Sequence, residues 1–280
     1  MRVGLTQLCS SDNPQANLTT TSSLIRDAVD RGAVMVLTPE CTNLISMSRG
    51  LQHEVLTVEE EDVTLAAMRT LAADLKIHLL LGSLCLKAGG GDERFVNRSF
   101  LLAPDGSVKA RYDKLHMFDV DLPSGESYRE SSAYRPGTEA VLADAGPARM
   151  GLTICYDMRF PELYRQLAVA CAEVITVPSA FTVPTGRAHW HTLLRARAIE
   201  TGCFILAPAQ SGEHGASRGK PRQTYGHSLV ISPWGEVLAD AGDTPNTVLV
   251  TDIDLGEVAK ARQRIPSLTH SREFSVTLPA

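Results

Sequence analysis

The feature that most constrains this chain is that it runs through the same order of segments twice. Arg149-Met-Gly-Leu-Thr153 echoes Arg2-Val-Gly-Leu-Thr6, and Ala172-Glu-Val-Ile-Thr-Val-Pro178 echoes Ala33-Val-Met-Val-Leu-Thr-Pro39. A hairpin-like stretch, Ser228 to Val237 with Pro-Trp-Gly at its turn, echoes Ser99 to Val108 with Pro-Asp-Gly. The offsets are 147, 139 and 129 residues, and the three matches keep one order. That order points to an internal duplication. Each repeat reads as β-α-β-α-β-β, a sheet with two covering helices. Two such halves bury their bare faces by stacking. The expectation is an α/β protein, a four-layer α-β-β-α sandwich built from two pseudo-symmetric halves.

The local pattern agrees. Arg2 to Leu8 alternates as a strand, and Pro14 to Arg31 has helical spacing. Val34 to Leu37 is a buried strand stopped by Thr38-Pro39-Glu40. Glu59 to Lys76 reads as one helix and His78 to Leu86 as a strand, followed by a loose turn at Gly89 to Asp92. Phe95 to Tyr112 reads as a hairpin, and residues 113–147 as a long polar connection. Connections of that length usually have a task. Ligands of open α/β sheets sit beyond the carboxyl ends of the strands. Glu40, the 113–137 connection, Cys155 and Ser179 should therefore share one rim.

Composition narrows the partners. A hydrophobic content of 44% with 21% charged residues suits a chain that buries a sizeable core. The net charge of −5 gives no reason to expect nucleic acid, and no stretch is long and apolar enough to span or coat a membrane. The six cysteines, at 9, 41, 85, 155, 171 and 203, lack Cys-x-x-Cys spacing and suggest reduced thiols in a cytoplasmic protein.

Chemistry concentrates at strand ends. In Gly151-Leu-Thr-Ile-Cys155-Tyr-Asp-Met-Arg-Phe-Pro-Glu162 an apolar run turns polar and then enters a helix through Pro161-Glu162. This places Cys155 at a strand–helix elbow, where a thiol and the next backbone N–H, that of Tyr156, face one space. Taken alone, such a cysteine is more often a small core residue. Glu40 and Lys114 also follow strands. A partly desolvated carboxylate can take the thiol proton, and an ammonium lowers thiol pKa and neutralises an oxyanion.

With these residues in place, the chain resembles the carbon–nitrogen hydrolase (nitrilase) superfamily. Glu40, Lys114 and Cys155 match its Glu-Lys-Cys triad. The resemblance also rests on Gly186-Arg-Ala-His-Trp190, Arg195-Ala-Arg-Ala-Ile-Glu200, Tyr225-Gly-His-Ser228 and Asp252-Ile-Asp254. It runs from Arg2 to about Arg262 and implies a single domain over 1–262. The tail, 263–280, would then pack at a homodimer interface. Cys155-Tyr156-Asp157 departs from the Cys-Trp-Glu of true nitrilases. The run from Lys114 to Pro123 and Tyr128-Arg-Glu-Ser131 is similar to the omega-amidase and deaminated glutathione amidase branch. There a second glutamate follows the lysine by sixteen positions, here Glu130.

The resemblance implies hydrolysis of a small carboxylate-bearing amide through a Cys155 thioester, releasing ammonia, with no metal or organic cofactor. Glu40 is the implied base, Lys114 and the Tyr156 N–H hold the oxyanion, and Glu130 assists. Arg159, Phe181 and Thr185 are candidate substrate-binding residues, with Arg159 alternatively pairing with Glu162 or another acid to hold the elbow. Related readings are a carbamoyl amidohydrolase or a nitrilase. From other classes come a metallohydrolase using His189, His191, His116 and Asp119, and a catalytically silent scaffold. His-x-His in a helix puts its rings on different faces, which counts against the metal reading.

Overall fold

The computed structural model describes residues 1–121, 125 and 127–278. Residues 122 and 123, the end of the Lys114–Pro123 run, lie outside the described residues.

Two six-stranded sheets form the middle of the molecule. The first runs Thr247–Asp252, Arg2–Gln7, Met35–Leu37, His78–Gly89, Asp92–Leu102, Val108–Asp113. The second runs Val237–Asp240, Leu229–Ile231, Phe204–Ala207, Val174–Thr176, Arg149–Leu152, Val141–Asp144. In each, the three strands of the β-α-β-α-β core are parallel and the outer ones antiparallel.

The period of two along each strand sorts the layers. In the first sheet Val3, Leu5, Met35, Leu37 and Leu80 pack with Leu152, Val174 and Ile205 of the second. Alternate residues Val36, Leu79, Leu81, Phe100 and Leu102 face Ile25, Ala28, Leu65, Met68 and Leu71 of the helices Pro14–Asp30 and Val63–Leu75. On the other side, Leu163, Tyr164 and Leu167 of Pro161–Val169 and Trp190, Leu194 and Ala198 of Val183–Thr201 cover the second sheet. The fold is the expected four-layer α-β-β-α sandwich.

The repeated Arg-x-Gly-Leu-Thr has a packing reason. A Cβ on Gly4 would stand 2.8 Å from the Ala28 Cβ, and one on Gly151 3.0 Å from Leu167. Glycine lets each covering helix approach its central strand closely.

Several local expectations change. Glu59–Leu75 is not one helix: a 3₁₀ turn, Glu59–Glu61, is separated from the helix by Asp62, whose carboxylate accepts from Leu65 N–H at 2.7 Å. Aspartate is a strong N-cap, so a new helix starts there. A short helix, Arg49–Val55, forms in a stretch without clear periodicity. The 113–147 connection is less irregular than its composition suggests. It holds a two-stranded hairpin, Asp119–Asp121 with Ser127–Arg129, a 3₁₀ turn at Glu130–Ser132, and the edge strand Val141–Asp144. The two halves also share a strand. Thr247–Asp252 pairs antiparallel with Arg2–Gln7, in the place that Val141–Asp144 takes beside Arg149–Leu152. After residue 264 the chain has no regular structure up to 278, and Phe274, Val276 and Leu278 are exposed.

Candidate active site

Each reactive residue stands just past a strand. The elbow is the most constrained. The strand ends at Leu152, and a 3₁₀ turn spans Cys155–Arg159. Cys155 sits at φ +48°, the left-handed region that costs a non-glycine residue energy. Such strain persists only where its surroundings enforce it. Cys155 N–H donates to Pro178 C=O at 2.9 Å. Asp157, fully buried, accepts from Ile154 N–H at 2.8 Å, Tyr112 O–H at 2.6 Å and His116 N–H at 3.0 Å. Arg197, from the Val183–Thr201 helix, donates to Met158 C=O at 2.8 Å. The first amides of a helical turn have no acceptor within it, so the Tyr156 N–H is available as a donor beside the thiol.

Glu40 and Lys114 are 4% and 2% exposed. Lys114 Nζ lies 2.9 Å from Glu40 Oε1 and 2.9 and 3.0 Å from the two Glu130 oxygens. Glu40 Oε2 accepts from Ala180 N–H at 2.8 Å, and its Oε1 also from Asn97 Nδ2 at 2.9 Å. Glu130 accepts from Phe118 N–H at 2.6 Å, which ties the 3₁₀ turn to the segment after Lys114. One ammonium between two carboxylates satisfies its buried charge from both sides.

The electrostatics follow. Burial alone would raise the Glu40 carboxyl, but Lys114, and more weakly Arg222, outweigh it and hold it below its ordinary value. Burial opposes the Lys114 charge, yet Glu130 and Glu40 carry its pKa well above normal. Burial first, and then the Glu40 charge, push the Cys155 thiol up, against a smaller lowering by Lys114. These directions leave a neutral thiol and an ionised carboxylate in the same cavity. That pair is poised to transfer a proton as the sulfur attacks, without a standing thiolate.

Glu40, Lys114, Glu130, Cys155, Phe181 and Thr185 all line one cavity of about 190 Å³. The Tyr156 ring meets Phe118 and Phe160 edge-on. Arg159 is not among the residues that line this cavity. Its guanidinium lies over the Tyr156 and Phe181 rings, 5.9 and 5.5 Å from their centroids, and 3.3 Å from His189 Nδ1. Among the described residues it makes no ion pair, so the alternative partner Glu162 is not used either. The metallohydrolase set does not converge. His116 Nδ1 meets Asp157 at 2.7 Å, Asp119 accepts from Ser131 N–H at 3.0 Å, His189 meets Arg159, and His191 meets Asp240.

The sequence reading missed two residues in particular. Asn97, buried in Asp92–Leu102, reaches Glu40 and, at 3.5 Å, Glu130, while its C=O accepts from Lys114 N–H at 3.0 Å. Its signal was slight, an amide between Val96 and Arg98 in a strand of mixed polarity. Arg222 lines the cavity from the Arg222–Tyr225 strand, donates to Ala180 C=O, and has a buried Nε–H without a partner among the described residues. Its signal was only the length and polarity of the 211–224 loop.

A sandwich of this topology, with a buried carboxylate–ammonium–carboxylate cluster beside a strained cysteine elbow, defines a class of cysteine hydrolase. The chain belongs to the carbon–nitrogen hydrolase family, whose pattern it matches over residues 2–263. It is 38% identical to the deaminated glutathione amidase of Yersinia enterocolitica over 281 aligned residues, 99% of this chain and 95% of that one. Saccharomyces cerevisiae Nit3, a member of branch 10 of the nitrilase superfamily, superposes with a TM-score of 0.85 at 29% identity, covering 98% and 97% of the two chains. A mutant of the amidase from Nesterenkonia sp. AN1, solved after Michael addition of acrylamide at its active-site cysteine, gives a TM-score of 0.76 at 27% identity over 95% of this chain and 98% of that one.

Proposed function

We propose that the protein hydrolyses the amide C–N bond of a small carboxylate-bearing amide, of the deaminated glutathione or omega-amide type, through a thioester on Cys155. The observation that carries this reading is the Cys155 thiol at a left-handed elbow, sharing one cavity with Glu40, a carboxylate that the buried Lys114 keeps ionised. The relative named deaminated glutathione amidase and the acrylamide adduct on the Nesterenkonia cysteine support it.

Glu40 takes the Cys155 proton as the sulfur attacks the carbonyl carbon. Negative charge moves to the carbonyl oxygen, where the Tyr156 N–H and the Lys114 ammonium meet it. Glu40 then gives the proton to the departing amine, and the C–N bond breaks to leave the thioester. Water, deprotonated by Glu40 or Glu130, cleaves that thioester and returns the proton to sulfur. A primary amide releases ammonia. Deaminated glutathione is a secondary amide, so its leaving group is the cysteinylglycine amine, and an ammonia assay alone would miss it.

The substrate carboxylate needs a cation. Arg222 supplies one at the cavity wall, with the Arg222 charge free of any carboxylate ion pair among the described residues. Arg49 lines the same cavity and donates to Ser132 Oγ at 2.8 Å. The exposed apolar residues of the tail, Phe274, Val276 and Leu278, support a homodimer that would cover them. Its test is the solution mass of the chain with and without residues 271–280.

The activity test is a screen of deaminated glutathione, 2-oxoglutaramate, 2-oxosuccinamate, carbamoyl amino acids and simple nitriles, scoring both ammonia and released amine. Hydrolysis only of substrates lacking a carboxylate would overturn the substrate class. Covalent acyl adducts found by mass spectrometry at a cysteine other than Cys155 would overturn the nucleophile.

A further inference from the structure

Away from the catalytic cavity, three donor side chains from three different segments point at one spot. His191 comes from the Val183–Thr201 helix, Asp240 from the end of the Val237–Asp240 strand, and His227 from the turn after Arg222–Tyr225. Asp240 Oδ2 lies 3.0 Å from His191 Nε2 and 3.1 Å from His227 Nδ1, and all three donor atoms lie within 4.8 Å of one another. We propose that His191, His227 and Asp240 bind one divalent transition-metal ion of the zinc, cobalt or nickel class, in a site separate from the catalytic cavity.

Bond lengths of about 2.0–2.2 Å to imidazole nitrogen and carboxylate oxygen place tetrahedral donors roughly 3.3–3.5 Å apart. The two spacings to Asp240, 3.0 and 3.1 Å, are close to that, and the imidazole nitrogens lie within 4.8 Å of each other, so an ion could enter with side-chain adjustment. The two-imidazole, one-carboxylate donor set suits borderline transition ions over calcium or magnesium, and it lacks thiolate. The side chains are 36%, 24% and 32% exposed for His191, His227 and Asp240, which leaves a path for the ion and room for water as a further ligand.

The backbone holds the donors before any ion arrives. His227 stands at φ +57°, an uncommon conformation for a histidine, and is pinned by its own N–H to Gly242 C=O at 2.7 Å. The Trp190 indole N–H donates to His227 C=O at 2.8 Å, and the His227 ring stacks on Tyr225 with centroids 4.5 Å apart. Asp240 Oδ1 accepts from Gly242 N–H at 2.8 Å, which orients the carboxylate. Without metal, the same carboxylate accepts an N–H from each imidazole, so the site is stable empty. With metal, the ion would fasten the helix carrying Thr185 to the arm that carries Arg222. Its role is to stiffen the cavity wall and not to activate a nucleophile.

Chelator-stripped full-length protein titrated with Co²⁺ decides this. The expected result is one equivalent bound per chain, weak visible d–d bands without an intense thiolate charge-transfer band, and a raised melting temperature. Asp240→Asn keeps an acceptor for the imidazole N–H groups but loses the anionic ligand. It should weaken binding at least about tenfold while leaving amidase turnover unchanged. His191→Gln should do the same. Absence of stoichiometric binding, binding unaltered in both variants, or a thiolate band would each overturn the proposal.

Discussion

Glu130→Gln tests the reading of the cluster most sharply. The two strongest donors to Glu130 are Lys114 Nζ at 2.9 and 3.0 Å and Phe118 N–H at 2.6 Å, with Asn97 Nδ2 further off at 3.5 Å. Glutamine offers one oxygen for both and turns an NH₂ toward whichever donor is left. A hydrogen bond to a charged group contributes about 1.5–3 kcal/mol, so the loss is of that order. Lys114 would then lean on Glu40 alone. That pairing stabilises the ionised Glu40 further and makes it a poorer base for the Cys155 proton. A loss of about 2.7 kcal/mol in the transition state corresponds to roughly 100-fold in rate. The variant should fold, with its far-UV spectrum unchanged, and its KM should stay within a few-fold. Its kcat should fall at least about 100-fold, because the affected charges matter most as the oxyanion and leaving amine develop. Steady-state kinetics on the best substrate of the screen measure both numbers. A kcat within a few-fold of wild type would show that Lys114 and Glu40 work without Glu130, and the reasoning about shared charge would be wrong.

Other outcomes follow from the same geometry. Cys155→Ala should abolish turnover while leaving the melting temperature close to wild type, and near-normal rates in that variant would remove the thioester mechanism. Arg222→Gln should raise KM for carboxylate-bearing amides by roughly tenfold or more, with a smaller effect on neutral amides; equal effects on both classes would make Arg222 a support for Ala180 only. His214 is buried, with Nδ1 2.8 Å from Ser10 O and Nε2 2.8 Å from Thr224 Oγ1. Burial lowers its pKa from 6.5 to about 4, so the unfolded chain takes up the proton first as pH falls. Its contribution is therefore complete above pH 6.5 and is lost between there and about pH 4, amounting to at most roughly 3 kcal/mol. Denaturant unfolding across that window should show the slope, and His214→Gln should flatten it. Chelation should leave kcat unchanged, since no ligand of the proposed ion site touches the catalytic cavity; a loss of turnover restored by zinc would argue for metal in the chemistry.

Local sequence determined much of this protein. Alternating apolar residues set the strands, the duplicated Arg-x-Gly-Leu-Thr and Thr/Val-Pro segments set the order of two halves, and strand ends fixed where Glu40, Lys114 and Cys155 emerge. These are short-range properties, because strand periodicity and the turns that stop strands act over a few residues. Tertiary structure decided what surrounds the triad. Asn97 looks like one polar residue in a strand until pairing puts it between Glu40 and Glu130. Arg159 is next to the nucleophile in sequence, and only the fold shows its guanidinium over the Tyr156 and Phe181 rings. Arg222 comes from the far end of the chain to take the place by the cavity. The strand Thr247–Asp252 likewise completes the sheet of the opposite half. Such choices depend on which distant segments the packed sheets bring within hydrogen-bond or Coulomb range, and the order of residues along the chain carries no record of that distance.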